Sequence, residues 1–306
     1  MTTKSSLLAP VVVFAYSRPE HLQRAIESLR KNAEAKDTVL YIYCDGLGDK
    51  RHSLGFQAVR SYVNSISGFL DVIKIYRASN YGLAHSVISG VSEVLQKHGN
   101  IIVMEDDLVV SPYFLKYMND GLDCYENCEN VASIHGYCYP VPEQLPETFF
   151  LRGADCWGWA TWSRAWEKFE IDGQKLLRQL NERKLSHAFD MDGRYPYRKM
   201  LANQVKNRND SWAIRWHAAC FLNGMMTLYP GKSLVNNIGI DGSGTHCSST
   251  KDFDQKVARE PVNLYPIELV ENEFAKKSFS NFLGRHQSVW AKLRRVWGRI
   301  KSKLNI

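Results

Sequence analysis

The sequence predicts an α/β fold: a Rossmann-type sandwich with a mainly parallel central sheet and an irregular second lobe. Two observations carry this. Four short apolar runs alternate with segments of helical periodicity over the first 110 residues. Each of the four runs is followed by a polar or glycine-containing loop, which places these loops on one rim of the sheet, where open α/β sheets bind ligands.

The first run, Val11 to Tyr16, reads as a buried strand. Pro19 can open the next helix, because its missing N–H costs nothing at the first helical position. Leu22, Ile26 and Leu29 then repeat at helical spacing. Val39–Cys44 is a second strand pattern, followed by a helical segment near Leu54–Ile66. Asp71–Tyr76 is a third strand, Leu83–Lys97 a long helix, and Ile101–Met104 a fourth strand. Beyond it, helices are expected at Tyr113–Tyr125, Gly173–Ala188, Lys199–Val205 and Ala213–Asn223, with a strand at Val131–Tyr137. Pro140–Pro146 and Gly239–Cys247 read as loops.

Composition narrows the class. The chain has 306 residues, 44% hydrophobic and 23% charged, so burial can supply its core. Seven cysteines at irregular spacing argue against a disulfide framework, and Cys124 and Cys128 lack the partner pair of a zinc knuckle. No apolar run reaches the roughly 20 residues that span a bilayer, and the first residues lack a secretory pattern, so cytoplasmic residence is expected. The formal charge of +7 is matched by seven basic residues in 281–306, where there is no acid. Residues 1–280 are therefore neutral overall, and no nucleic-acid partner is expected.

The chemistry concentrates at the loops. Glu105, Asp106 and Asp107 stand between two apolar runs. Carboxylates there are costly to bury unless paired or bound to metal, and a hard cation, Mn²⁺ or Mg²⁺, would also neutralise a nucleotide's phosphates. Alternation along an extended chain would send Glu105 and Asp107 to one face and Asp106 to the other. A solvated acidic turn is the plain alternative. Arg18 suits a nucleotide group and Asp45 a base or ribose; Asn80 and Gly82 allow close backbone approach to a donor. Their bland counterparts are a salt bridge, an Asp-Gly turn and a helix junction. There is no G-x-G-x-x-G after the first strand and no complete phosphate-loop motif, which disfavours a dinucleotide oxidoreductase and a P-loop kinase.

Five segments in order, VVVFAYSRP, IYCDG, ASNYGLAHS, VMEDDLVVSP and GADCWGWATW, resemble the GT-A glycosyltransferases. The nearest likeness is to the inverting, metal-dependent N-acetylglucosaminyltransferase I group. It spans most of residues 9–250 and is closest over the first hundred. The resemblance implies a UDP-sugar donor, Mn²⁺ and inversion at the anomeric carbon. It implies Asp107 as metal ligand, Asp106 as ribose contact and Glu105 as a supporting donor-site residue. Residues 9–110 then form a nucleotide-sugar-binding lobe and 111–280 an acceptor-binding and catalytic lobe.

On the acceptor side, Trp157, Trp159 and Trp162 can stack on sugars or simply pack between lobes. Asp210, before a tryptophan-containing helical segment, is a candidate general base or a helix cap, and Asp155 is its rival. The resemblance adds a late loop closing over the donor, where His246 would complete the metal coordination; a satisfied loop histidine is the alternative. Residues 281–306 predict a basic amphipathic helix with Val289, Leu293, Val296, Ile300 and Leu304 on one face. Such a helix can lie on an anionic membrane, peripheral to the inner face of the plasma membrane, beside a glycan or lipid-linked saccharide acceptor. The expectation is a glycosyltransferase of polysaccharide biosynthesis. A sugar nucleotidyltransferase would need a basic glycine-rich loop where YSRPEH stands, and a non-catalytic carbohydrate-binding protein would have little use for the acidic triplet.

Overall fold

The structure, a computed structural model, describes residues 8–242 and 250–287. Strand β1 (Val11–Ala15) leads into α1 (Pro19–Arg30), and after a 3-10 turn at Ala33–Asp37 come β2 (Val39–Cys44), a turn at Lys50–His52 and α2 (Ser53–Ser65). Then follow β3 (Asp71–Tyr76), α3 (Gly82–His98), β4 (Asn100–Glu105) and β5 (Leu108–Val110). The second half contains α4 (Phe114–Cys124), β6 (Val131–His135), β7 (Thr148–Arg152), β8 (Trp159–Trp162), α5 (Ser163–Trp166), α6 (Gly173–Glu182), α7 (Ser186–Phe189), α8 (Tyr197–Val205), α9 (Trp212–Leu222), β9 (Met226–Pro230), β10 (Val235–Asn237) and α10 (Glu273–Gln287).

The main sheet is 8-stranded in the order β3-β2-β1-β4-β8-β6-β9-β7, and only β7 and β8 run against the other strands. This is the expected α/β sandwich, Rossmann-type and GT-A-like, with a mixed, mostly parallel sheet. Pairing of β4 with β8 makes the sheet continuous between the two halves of the chain. Strands β5 and β10 form a separate antiparallel pair that holds the chain after the acidic triplet against the chain entering the late loop.

Each strand of the sheet serves two cores. Val11, Val13 and Ala15 pack with Leu22, Ile26 and Leu29 of α1 and with α2 and α4, whereas Val12 and Phe14 pack with Val87, Val91 and Val94 of α3. Burial on both faces is why these strands read as continuous apolar runs. Gly99 ends α3 with φ 77, the left-handed conformation that caps a helix at lowest cost on glycine. The expected helix over Gly173–Ala188 breaks into α6 and α7 at Lys184, whose φ is 56.

The aromatic segment is largely core. Trp159 is 0% exposed and stacks on Trp212, with Trp166 and Trp216 beside it. Trp162 is buried on the other face, its indole N–H donating to the Leu122 carbonyl. Pairing of β8 in the middle of the sheet takes both rings out of reach of an acceptor, so the expected stacking role gives way to packing at 159 and 162. Trp157 is partly buried, edge-on to Tyr137 and Phe253.

Among the described residues no helix is long and apolar enough to cross a membrane. Of the expected C-terminal helix, 281–287 belong to α10, and the apolar face from Val289 to Leu304 lies outside the described residues. Replacing Trp159 with alanine should cost about 3–5 kcal/mol in urea unfolding, while Asp210→Ala, at a 70% exposed side chain, should stay within about 0.5 kcal/mol.

Candidate functional site

The four expected loops do meet on one rim. Asp45, after β2, is buried, and its carboxylate accepts hydrogen bonds from the backbone N–H groups of Gly46 (2.9 Å), Tyr81 (2.8 Å) and Gly82 (2.9 Å). It thus holds the start of α3, where a negative charge is favoured. Asn80 donates to the Gly46 carbonyl at 2.8 Å. A methyl on Gly46 would overlap the Ser79 backbone, so this crossing requires glycine. Asp45, Asn80 and Gly82 are therefore brought together, each bound into the loop scaffold.

Arg18 leaves the end of β1 and places Nη2 against both Asp106 and Asp107, the latter at 2.9 Å. Both aspartates are buried. They sit in a turn between β4 and β5, so they turn to the same cation, and the alternation expected of extended chain does not hold for Asp106. Glu105, the last residue of β4, is partly buried. Burial, then the charges of Asp107 and Asp106, raise its pKa, with Arg18 opposing. Burial raises that of Asp106 too, against the pull of Arg18. For Arg18, burial works against the charge, but the two aspartates outweigh it and the pKa rises.

The backbone entering the late loop, at Ile238 and Gly239, lies against this pair. Ile238 donates to the Asp107 carbonyl at 2.9 Å, and a methyl on Gly239 would overlap both the Asp107 carboxylate and the Arg18 guanidinium. Asp241 reaches His21 of α1 at 3.1 Å. His246 lies outside the described residues. Three neighbouring carboxylates have the hard oxygen chemistry that suits a divalent cation. Among the described residues no group of three or more His, Cys, Asp or Glu is placed to hold one.

A second polar cluster adjoins the first. The Glu105 and Val103 positions share a sheet face with Trp159, His135 and Tyr229, by strand register and alternation. Asp155 precedes β8 with 22% of its side chain exposed. Tyr139 Oη donates to Asp155 Oδ2 and the Cys156 N–H donates to Oδ1, both at 2.9 Å. The Cys156 thiol is raised well above its ordinary pKa by burial and by the charges of Asp155, Glu105 and Asp107, so it lies within the field of both clusters.

His135, 0% exposed, stands 3.9 Å from Asp155 and edge-on to Tyr229. Neither of its ring nitrogens has a hydrogen-bond partner, and burial depresses its pKa to about 4 against the pull of Asp155. His217 bonds the Ala154 carbonyl through Nδ1 at 2.7 Å. Asp210 is elsewhere in character: it is exposed and pairs with Arg215 at 3.5 Å. The cap of α9 is Ser211, which accepts from Ile214 N–H, so the expected capping role of Asp210 falls one residue away.

Sequence reasoning missed His135, Tyr139, Cys156, His217 and Gly239. His135 carries a readable signal, since it ends an apolar run just as the acidic triplet does. Cys156 is bonded to its sequence neighbour Asp155, and Tyr139, His217 and Gly239 are joined to the site only by tertiary contacts.

No protein-family model matches the chain, and no curated protein matches it. Solved structures resemble it loosely. TarS of S. aureus is 15% identical over 47% of this chain, with a TM-score of 0.31, and the match spans 24% of TarS. The mannosyltransferase PcManGT from Pyrobaculum calidifontis, solved with GDP-Man and Mn²⁺, is 10% identical over 72% of this chain and 70% of its own, with a TM-score of 0.40. A UDP-glucose pyrophosphorylase, solved with UDP-glucose, is 9% identical over 72% of this chain and 90% of its own, with a TM-score of 0.36. At these TM-scores the likenesses assign no chemistry to this chain, which rests on its own residues.

The depressed pKa of His135 sets a pH dependence. The unfolded chain takes up this proton near pH 6.5, the folded one only near 4. The stability it contributes is present above pH 6.5 and is lost as pH falls toward 4. Between those limits, wild type should lose up to about 3 kcal/mol more than His135→Leu, measured by thermal melts at stepped pH.

Proposed function

We propose that the chain is a metal-dependent inverting glycosyltransferase that moves a sugar from a UDP-sugar to a saccharide hydroxyl. The observation that supports it best is the convergence of Arg18, Asp45, Asn80 and Gly82 with Glu105, Asp106 and Asp107 on one rim, beside the Asp155 cluster. In this reading residues 9–110 bind the donor and 111–280 the acceptor.

Asp107, with His246 of the late loop, would hold Mn²⁺ or Mg²⁺. The ion would neutralise the diphosphate as it leaves. Arg18 fixes Asp106 and Asp107 and is the cation closest to them. Asp45 keeps the loops after β2 and β3 in register for the nucleoside, with Asn80 and Gly82 beside it. Gly239 lets the backbone pass close to the pair, where a side chain would meet the Asp107 carboxylate.

An inverting displacement needs a carboxylate that takes the acceptor proton. Asp155 fits this better than Asp210. Asp155 is partly shielded and shares the field of the acidic triplet, whereas Asp210 is exposed and paired with Arg215. Each Asp155 oxygen receives one hydrogen bond, which leaves lone pairs for a hydroxyl. The acceptor oxygen bonds to the anomeric carbon from the face opposite the leaving group, its proton passes to Asp155, and the carbon–oxygen bond to the diphosphate breaks with its electron pair. The basic residues of the sequence beyond 288 suit an anionic membrane, where a lipid-linked acceptor would be presented.

Calorimetry with UDP should show Mn²⁺ tightening binding at least about tenfold for wild type and within about twofold for Asp107→Ala. Equal affinity with and without metal in wild type would remove the metal from the reading. Asp155→Asn should keep UDP affinity and lower transfer by about 100-fold or more.

A further inference from the structure

Asp106 Oδ1 and Asp107 Oδ2 converge on one atom, Nη2 of Arg18, the second at 2.9 Å. Two buried carboxylates aimed at a single point make a seat for a cation, and Arg18 fills it. The three residues are not equally free. The Asp106 N–H donates to the Phe14 carbonyl at 3.1 Å, and the Asp107 carbonyl accepts from the Ile238 N–H at 2.9 Å. The turn that carries both carboxylates is thus tied to β1 and to the chain after β10, and their side chains are only 6% and 12% exposed. The backbone of Arg18 is also fixed, as the cap of α1, with its carbonyl accepting from the Leu22 N–H at 3.1 Å. Its side chain is 23% exposed, and several rotatable bonds separate that backbone from the guanidinium. The carboxylates are anchored, whereas the guanidinium can turn toward the rim.

Such a seat does not hold a second cation beside the first at low cost. A divalent ion on Asp107 would stand close to the guanidinium in a place with little water, where like charges repel strongly. Withdrawing Arg18 with nothing in its place would leave two buried carboxylates uncompensated. Exchange satisfies both conditions, one cation entering as the other leaves. The displaced guanidinium then needs an acceptor at the rim, and a diphosphate offers paired oxygens that match its fork.

We propose that Arg18 is the resident counter-ion of the acidic turn, displaced when a divalent cation enters and passed to the donor's diphosphate, so that metal and nucleotide bind as a coupled pair. The assignment rests on the glycosyltransferase reading, in which Asp107 holds the metal, and adds to it the residue that couples the two ligands. Metal alone binds weakly, because it must break the Arg18 contacts with nothing to receive the guanidinium. Nucleotide alone gains nothing from Arg18, which stays with Asp106 and Asp107. Together each ligand offsets the other's cost, and by linkage each tightens the other by the same factor.

The test is calorimetry of the full chain, wild type and Arg18→Gln, with Mn²⁺ alone, UDP alone, and UDP in saturating Mn²⁺. The variant should bind Mn²⁺ alone at least about fivefold more tightly than wild type, bind UDP alone within about twofold, and bind UDP in Mn²⁺ at least about fivefold more weakly. An arginine that only touched the nucleotide would weaken UDP equally with and without Mn²⁺ and leave Mn²⁺ alone unchanged; either result overturns the assignment. Because Arg18→Gln strips two buried carboxylates of their partner, wild type supplies a second measurement by nuclear magnetic resonance. Its Arg18 Nε–H signal, identified by its loss in Arg18→Lys, should stay in place with UDP alone and shift when Mg²⁺ and UDP are added together. A signal that ignores the pair, or that moves fully with UDP alone, overturns the assignment as well. UDP binding in wild type that is indifferent to metal would instead sink the glycosyltransferase reading itself, and the exchange with it.

Discussion

The site depends on one guanidinium between two buried carboxylates. Asp106 and Asp107 are in a turn with little access to water, where an unpaired charge is costly. Arg18 meets both, and because it comes from the end of β1, the pairing joins the rims of two adjacent strands. Gly239 extends the constraint to the late loop, since any side chain there would occupy the space of the pair. The β5–β10 pairing brings that loop to the right place, and Ile238 secures it to the Asp107 carbonyl. Arg18, the acidic turn and the backbone at Ile238 and Gly239 therefore form one unit: none can shift without stranding a buried charge or breaking the backbone contact above it.

The second half of the sheet explains how a second polar cluster lies beside the first. Strand β8 inserts antiparallel between β4 and β6, so the segment entering it descends next to the end of β4. That entry carries Asp155 and Cys156. The large rings that follow, Trp159 and Trp162, anchor the insertion on opposite faces of the sheet. Burial of these two indoles supplies much of the packing that fixes where Asp155 stands. The tryptophans thus serve the site by holding its scaffold.

The first half of the fold is legible in the sequence for a physical reason. Parallel strands covered on both faces must be apolar along their length, and Val11–Ala15 and Ile101–Met104 show this without any knowledge of partners. The polar loops at their ends follow from chain direction alone. What sequence does not reveal is pairing at long range. Trp159–Trp162 carries no local sign that it sits between β4 and β6, so its rings read equally well as a sugar-stacking surface. Asp106 and Asp107 read as alternating because no local signal shows that β4 ends in a turn where both meet Arg18, 88 residues earlier in the chain. Asp210 reads as a cap because Ser211, one residue on, has the same capping chemistry. The Tyr139–Asp155–His135 cluster joins two separate segments, 135–139 and 155, and has no motif.

These two clusters differ in how they meet the cost of burial, and the difference bears on what each can do. Around Asp106 and Asp107 the fold itself supplies one cation, Arg18, that meets both carboxylates. Around Asp155 compensation is partial. Tyr139 and Cys156 each give one hydrogen bond, while His135 stays neutral with both nitrogens unpartnered, although a charged imidazole there would pair with the carboxylate. Burial outweighs that attraction and keeps the histidine from cancelling the charge of Asp155. That carboxylate keeps spare lone pairs beside a neutral imidazole and two phenols that burial holds well above their ordinary pKa. Packing alone would favour apolar residues at these positions, so the contrast between this partly compensated cluster and the acidic turn that Arg18 pairs is what the proposed division of labour between the two draws on.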